Sequence, residues 1–150
     1  MGNLTVALNA MLIEVYHNII HLEEITLRKL ARINLTINEI HLLEAVAGKK
    51  KTGITISELA EELNIKRPSA TVAVNKLEKK GYVYREACPE DGRVVRVFLT
   101  RAGKRAEIYH RRYHRKMVHD LCRGLSNDEK QALYHLVKRM NIYFRKSIGE

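Results

Sequence analysis

Apolar residues recur at helical spacing in the outer parts of the chain. They predict a long first helix from about residue 4 to about residue 30, and a second helix that opens at Thr36. A fifth helix is predicted from residue 101 to about residue 123. Ser126 and Glu129 have the spacing of a capping box, which places the start of a sixth helix there.

Two shorter helices are predicted in the middle of the chain. Thr55 and Glu58 form another capping-box pattern, so the third helix begins at this point. Proline is tolerated in a first helical turn, and Pro68 therefore places the fourth helix at about 67 to 80. Gly81 is expected to end that helix in a left-handed conformation.

A hairpin is predicted directly after the fourth helix. Residues 82–87 and 94–99 are rich in aromatic and β-branched side chains, as strands are. The tip between them carries Gly92, as hairpin loops often do. The chain is therefore expected to be mainly α with a small β-wing (α+β), a winged helix-turn-helix whose fourth helix is sized for the major groove.

The first, fifth and sixth helices lie outside the winged-helix region in sequence, yet they carry apolar stripes. A chain of 150 residues is short for a second core, so packing against a second copy is the simplest way to bury them. We expect a single subunit in which residues 33–100 form the winged-helix region. Residues 1–32 and 101–147 are then the dimerisation helices.

The positive charge is unevenly distributed. The chain carries a net charge of +10, but residues 1–47 hold three basic and five acidic side chains, so the excess comes from the remainder. Such a surface suits a polyanion, which could be nucleic acid, an acidic protein or an anionic membrane. No stretch approaches the roughly 18 apolar residues of a membrane helix. We also expect no signal peptide, no membrane partner and a cytoplasmic location with reduced thiols at Cys88 and Cys122.

Four strings, in this order and spacing, carry a resemblance to a known family. They are Ile56-Ser57-Glu58-Leu59-Ala60, Leu77-Glu78-Lys79-Lys80-Gly81, Asp91-Gly92-Arg93 and Leu99-Thr100-Arg101-Ala102-Gly103. The layout is similar to the MarR family of winged-helix repressors over essentially the whole chain. The resemblance implies an obligate homodimer that binds double-stranded DNA. Two reading helices about one DNA turn apart, ~34–36 Å, imply a palindromic operator.

Three flanking strings resemble the FabT-type branch of that family. They are residues 23–28 (EEITLR), 38–41 (NEIH) and 111–118 (RRYHRKMV). The branch represses genes of fatty-acid synthesis and uses acyl-acyl carrier protein as co-repressor. This resemblance therefore implies acyl-acyl carrier protein as effector and partner, with no required cofactor.

The exposed face of the fourth helix holds the first DNA-binding candidates. Lys66 stands where a capping oxygen is usual, and we interpret this cation as a phosphate contact. Arg67 and Asn75 could read guanine or adenine edges. The full set on this helix is Lys66, Arg67, Ser69, Thr71, Asn75 and Lys76. An ordinary polar helix face is the alternative.

The wing tip supplies Arg93 as a candidate for a minor-groove or phosphate contact. Asp91, two residues earlier, is expected to hold its guanidinium through a charge-assisted bond. An exposed salt bridge without function is the alternative, and such pairs contribute only ~0–1 kcal/mol.

Basic residues also crowd the predicted fifth helix. Arg111, Arg112 and Arg115 are candidates for docking an acidic carrier protein, with a solvated helix face as the alternative. An acyl chain would need an apolar slot between the first, second and fifth helices. The residues that could line it are Leu12, Val15, Ile19, Leu43, Ile108 and Met117.

A histidine set leaves a second kind of effector open. Glu24, His41, His110 and His114 could together form a tetrahedral zinc site, and zinc-sensing repressors exist in the MarR family. The alternative function is thus a zinc- or small-molecule-responsive repressor of the same family. An enzyme is not expected, since the sequence holds no phosphate-binding loop, dinucleotide fingerprint or nucleophile elbow.

Overall fold

A computed structural model describes residues 2–29, 34–89 and 91–149. It confirms the six helices and the hairpin, so the chain is mainly α with a small antiparallel sheet. The elements in chain order are α1 (Asn3–Lys29), α2 (Ile37–Gly48), β1 (Ile54–Thr55), α3 (Ile56–Glu62), α4 (Arg67–Lys79), β2 (Val83–Ala87), β3 (Val95–Leu99), α5 (Arg101–Cys122) and α6 (Asn127–Ile148).

Three helices begin at complete capping boxes. In each, the hydroxyl of the N-cap residue accepts from the N3 backbone N–H, and the N3 glutamate accepts from the N-cap backbone N–H. The pairs are Thr36 with Glu39 at α2, Thr55 with Glu58 at α3, and Ser126 with Glu129 at α6. The last two confirm the helix starts predicted from those patterns.

The sheet has the strand order β1-β3-β2, with both pairings antiparallel. Strand β3 is central, because Val97 pairs with Ile54 of β1 on one side and with Arg85 of β2 on the other. Strand β1 was not predicted. It is only two residues long, and a segment that short carries no alternating pattern; its pairing depends on β3, more than forty residues away.

The core lies between α2, α3, α4 and the inner face of the sheet. Its fully buried side chains include Ile40, Leu43, Ile54, Leu59, Leu77 and Val97. The start of α5 closes against the turn that follows α4. A Cβ on Gly103 would lie 2.1 Å from the carbonyl oxygen of Tyr82, so this close approach requires glycine.

The chain divides into two compact units, Met1–His110 and Arg111–Glu150. The boundary falls inside α5, ten residues beyond the start of the predicted C-terminal dimerisation region. The reason is that Gly103, Ala106 and His110 are buried within the first unit. These residues belong with the winged-helix core and not with the helix ends that follow.

Large apolar side chains are exposed along α1 and α6. Leu4 is 73% exposed and Phe144 is 55% exposed, and no residue of α6 is buried. On each helix, exposed apolar side chains in this number mark a partner surface on a folded protein. No helix in the described ranges is both long and apolar enough to cross a membrane.

Candidate nucleic-acid interface

Helix α4 separates a buried face from a cationic one. Ala70, Val74 and Leu77 are fully buried, which turns the opposite side of the helix to solvent. All six candidates of this helix lie on the solvent side: Lys66, Arg67, Ser69, Asn75 and Lys76 are exposed, and Thr71 is half-buried. The structure therefore brings them together on one face that can approach a DNA groove.

Helix α4 begins at a cation and lacks a side-chain cap. Lys66 is the N-cap residue and makes no side-chain capping bond. Thr71 donates its hydroxyl proton to the carbonyl oxygen of Arg67 at 3.0 Å. Its hydroxyl proton is thus used within the helix, and its oxygen remains able to accept a bond from outside.

At the wing tip, the Asp91 carboxylate bonds to a backbone N–H and not, as expected from the sequence, to the Arg93 guanidinium. The Asp91 carboxylate accepts from the backbone N–H of Arg93 at 3.0 Å, and the Asp91 carbonyl accepts from the N–H of Val94 at 2.9 Å. Among the described residues, no ion pair joins Asp91 to the Arg93 guanidinium. A carboxylate two residues away in a tight turn meets the backbone amide first. Asp91 therefore shapes the loop, and Arg93 extends from it as an exposed cation.

Arg85 was not among the predicted site residues. It lies on β2, and its Nη2 donates to Oδ1 of Asn75 at 2.6 Å while its Nη1 donates to Oε2 of Glu78 at 2.5 Å. The guanidinium thus joins α4 to the wing. The turn at Gly81 separates Arg85 from Asn75 and Glu78 in the chain, and the spacing of the three residues shows no pattern that predicts the contact.

A second ionic cluster joins α4 to α2 and was also missed. Lys80 Nζ lies 2.8 and 2.9 Å from the Glu39 carboxylate oxygens and donates to the carbonyl of Asn34 at 2.8 Å. Lys76 Nζ lies 3.4 Å from Glu39. Burial acts to raise the pKa of Glu39, but the bonds from Lys80 and from the Thr36 backbone outweigh it, so that pKa is lowered.

A cavity of about 730 Å³ lies beside this cluster. It is lined by Tyr16, Ile20, Glu23, Glu24, Asn34, Leu35, Thr36, Ile37, Asn38 and His41. The predicted acyl slot needs correction, because none of its six residues is in this described lining. Leu43 is fully buried in the core, whereas Leu12, Val15 and Ile19 are exposed on α1. The cavity lies at the N-terminal end of α2, where the helix leaves a gap against α1.

Three possible metal ligands converge, and two of them, Glu23 and His41, line the same cavity. Ligand atoms of Glu23, His41 and His110 lie within 4.8 Å of one another. His110 is buried, and its Nδ1 is 2.8 Å from Oε1 of Glu44. This carboxylate orients the His110 ring, as second-shell carboxylates orient histidines at metal sites.

The converging group differs from the predicted zinc set in two members. Glu23 takes the place of Glu24, because neighbouring helical residues point about 100° apart and Glu23 is the buried one. His114 belongs to the second unit and is not in the group. The carrier-docking candidates Arg111, Arg112 and Arg115 are exposed on the second half of α5.

Comparison with known proteins places this geometry in a family. Residues 33–94 match the MarR family. The chain is 29% identical to the uncharacterized HTH-type transcriptional regulator YhjH of Bacillus subtilis, over 70% of this chain and 68% of that protein. YcgE of the same organism is 35% identical over 56% of this chain and 54% of that protein. The chain therefore spans little more than half of this second relative.

Solved structures extend the likeness to nearly the whole chain. FabT of Streptococcus pneumoniae, crystallised in complex with DNA, superposes with a TM-score of 0.87 at 26% identity, covering 95% of this chain and 98% of that chain. MepR of Staphylococcus aureus in its DNA complex superposes with a TM-score of 0.69 at 19% identity, covering 89% and 94%, and shows the fold alone. Residues 33–94 thus form a winged-helix domain that matches the MarR family, and the chain as a whole is similar to DNA-binding transcriptional regulators of this type.

Proposed function

We propose that this regulator is a homodimeric repressor of fatty-acid synthesis genes that reads a palindromic operator and uses acyl-acyl carrier protein as co-repressor. The observation that supports the proposal is the cationic, solvent-facing side of α4, together with the exposed Arg93 on the wing. Cations on a helix and on a loop contact phosphates, whereas Arg67 and Asn75 can reach base edges. The likeness to a FabT that was crystallised on DNA supports the same use.

The apolar faces of α1 and α6 support the dimer. Burying them against a second copy removes large side chains such as Leu8, Met11 and Tyr143 from water. A two-fold dimer carries two copies of α4, and paired reading helices contact half-sites about one DNA turn apart, ~34–36 Å. An inverted repeat with that spacing is the expected operator.

The cavity beside α2 supports an effector site. Cavities of about 300–1,000 Å³ are typical for small ligands, and this one falls within that range. Tyr16, Ile20 and Ile37 offer an apolar side to an acyl chain. The second unit carries the exposed Arg111, Arg112 and Arg115, which we propose, separately from the cavity, as contacts for the acidic surface of the carrier.

A physical route runs from this cavity to the reading helix. Thr36 and Asn38 line the cavity, and Glu39, next in the chain, holds Lys80 and Lys76 of α4. An occupant that moves the first turn of α2 therefore moves the carboxylate to which α4 is bound. The effector acts in this scheme by changing the position of α4 against the groove.

The test of this function uses the full chain and duplexes enriched from a randomised DNA library. We expect a preferred inverted repeat, bound at least about 10³-fold more tightly than random duplex. Long-chain acyl-acyl carrier protein should tighten that binding by about 5–150-fold, whereas carrier protein without an acyl group should not. Equal affinity for all duplexes contradicts the repressor, and equal effects of the two carrier forms contradict the co-repressor.

A metal-responsive repressor is the second candidate, and the convergence of Glu23, His41 and His110 favours it. Two imidazoles and a carboxylate are zinc ligands, and water can complete the four. Zinc titration of the full chain, followed by native mass spectrometry, distinguishes the candidates. Under this alternative, one zinc ion binds per subunit and changes the affinity for the operator. His41→Ala should no longer bind this zinc ion.

The matched control for that variant is His21→Ala. His21 is exposed on α1 and does not belong to the converging group. Equal zinc content in both variants would contradict the site, and zinc binding without any change in operator affinity would contradict the metal response.

A further inference from the structure

The side-chain amide of Asn75 is oriented by a residue of the wing. Asn75 is exposed on the cationic face of α4, and its Oδ1 accepts from Nη2 of Arg85 at 2.6 Å. A guanidinium only donates hydrogen bonds. The atom of Asn75 that faces it must therefore be the oxygen, which settles an amide orientation that is otherwise ambiguous.

Arg85 is itself held in place from two sides. Its backbone belongs to β2 and pairs with Val97 of the central strand. Its Nη1 donates to Glu78, three residues after Asn75 on α4, at 2.5 Å. Only 26% of the Arg85 side chain is exposed, so its guanidinium is positioned between helix and sheet and is not free to sample solvent.

The bond from Arg85 changes what the Asn75 amide offers most readily to DNA. The Asn75 nitrogen carries two donors, whereas the oxygen already accepts one charge-assisted bond. Bidentate reading of adenine, in which asparagine accepts from N6 and donates to N7, would need a second bond at that same oxygen. Guanine and thymine require only donors from Asn75, whereas adenine presents an amino group beside its N7 and cytosine presents an amino group alone.

We propose that Arg85 is a positioning residue that biases Asn75 toward reading DNA through its donors, so that each half-site favours guanine or thymine over adenine beneath Asn75. The inference rests on the proposed reading of DNA by α4. It narrows the sequence-based expectation, in which Asn75 could read either a guanine or an adenine edge.

The experiment is selection of binding sites from randomised duplexes by the full chain and its variants. Asn75→Ala identifies the contacted position as the one at which base preference is lost. We expect guanine or thymine there for the unmodified chain. Arg85→Met frees the amide, and adenine should then gain about tenfold over guanine at that position. Arg85→Lys, which keeps a donor, should restore part of the original preference.

Arg96→Met is the matched control for loss of charge from the sheet. Arg96 lies on β3, donates to the carbonyl of Gly53 at 3.3 Å and lies 3.8 Å from Glu58, so it contacts α3 and not Asn75. It should leave the preference at the Asn75 position unchanged. An equal shift in both variants would show that only the lost charge matters and would overturn the inference.

Asn75→Asp tests the same idea without disturbing the sheet. An exposed carboxylate can still accept from Arg85 but presents an acceptor to the groove, so the preference should move toward cytosine or adenine. The inference is overturned if the unmodified chain selects adenine or cytosine beneath Asn75. It is also overturned if Asn75→Ala removes base preference at no position of the site, or if Arg85→Met leaves the base preference at that position unchanged. Failure to enrich any site at all would instead contradict the proposed function.

Discussion

Replacing Glu39 by Gln isolates the ionic link between α2 and the reading helix. Glutamine serves as well as glutamate at the third position of a capping box, so the helix cap remains. What is lost is the charge that faces Lys80 at 2.8 Å, in a pair whose carboxylate is 7% exposed and whose lysine side chain is 21% exposed. The variant therefore measures the ion pair and not the cap.

The expected loss follows from that burial. Breaking a fully buried pair costs ~3–5 kcal/mol and an exposed pair contributes ~0–1 kcal/mol, so we expect about 2 kcal/mol for Glu39→Gln. For a chain of this length such a loss lowers Tm by about 4–8 °C. Urea and thermal unfolding at one fixed protein concentration measure it, since subunit association makes Tm depend on concentration.

The chain supplies its own matched controls in the two other capping boxes. Glu58 faces Arg96 at 3.8 Å in an exposed pair, so Glu58→Gln should cost no more than ~1 kcal/mol. Glu129 makes its two cap bonds, and among the described residues it forms no ion pair, so Glu129→Gln should destabilise the protein least. The reasoning is refuted if Glu39→Gln destabilises the protein no more than Glu58→Gln does.

The pH dependence gives an independent check on the same carboxylate. The pKa of Glu39 is lowered from 4.5 in the folded protein. A lowered pKa contributes stability that is present above 4.5 and is lost as pH falls through the folded value. The difference in unfolding free energy between the unmodified chain and Glu39→Gln should therefore be full at pH 7 and shrink below pH 4.5. A difference that grows toward acid pH would contradict this sign.

Three further predictions concern the wing, the first turn of α4 and the packing of α5. Arg93→Ala should weaken operator binding about tenfold or more and leave the dimer intact, because a charge-assisted bond contributes ~1.5–3 kcal/mol; gel-shift titration with sedimentation tests both parts. Lys66→Ser supplies the missing cap oxygen, so it should raise stability by ~0.5–2 kcal/mol while lowering DNA affinity and reducing the salt dependence of binding; unchanged salt dependence would argue against a phosphate contact. Gly103→Ala should cost ~1–3 kcal/mol because its Cβ would meet the Tyr82 carbonyl, whereas Gly92→Ala, with nothing within 4 Å, should be nearly neutral; equal Tm values for the two would contradict the packing.

Much of the fold could be predicted from local chemistry. The cap residues Thr55 and Ser126 start their helices where the pattern placed them, and Gly81 has a left-handed φ of 76°. Pro68 lies in the first turn of α4 as expected. Each of these features depends on atoms within a few residues of one another, so the local sequence is enough to predict it.

The candidate site was predictable only in part. The exposed face of α4 follows from helical periodicity, since burying Val74 and Leu77 turns Asn75 and Lys76 outward. The role of Asp91 was not foreseen correctly, because the competition between a backbone amide and a guanidinium depends on the geometry of the turn.

The contacts that join elements were decided by the tertiary structure alone. Arg85 meets Asn75 because the turn after α4 folds β2 back along the helix, and Lys80 meets Glu39 across forty-one residues of chain. Glu23, and not Glu24, faces His41 because the rotation of α1 about its axis is set by what it packs against. Local sequence specifies which residues form helices, strands and caps, since those interactions are short in range; the partners of a charged side chain depend on distances that exist only once the elements have packed.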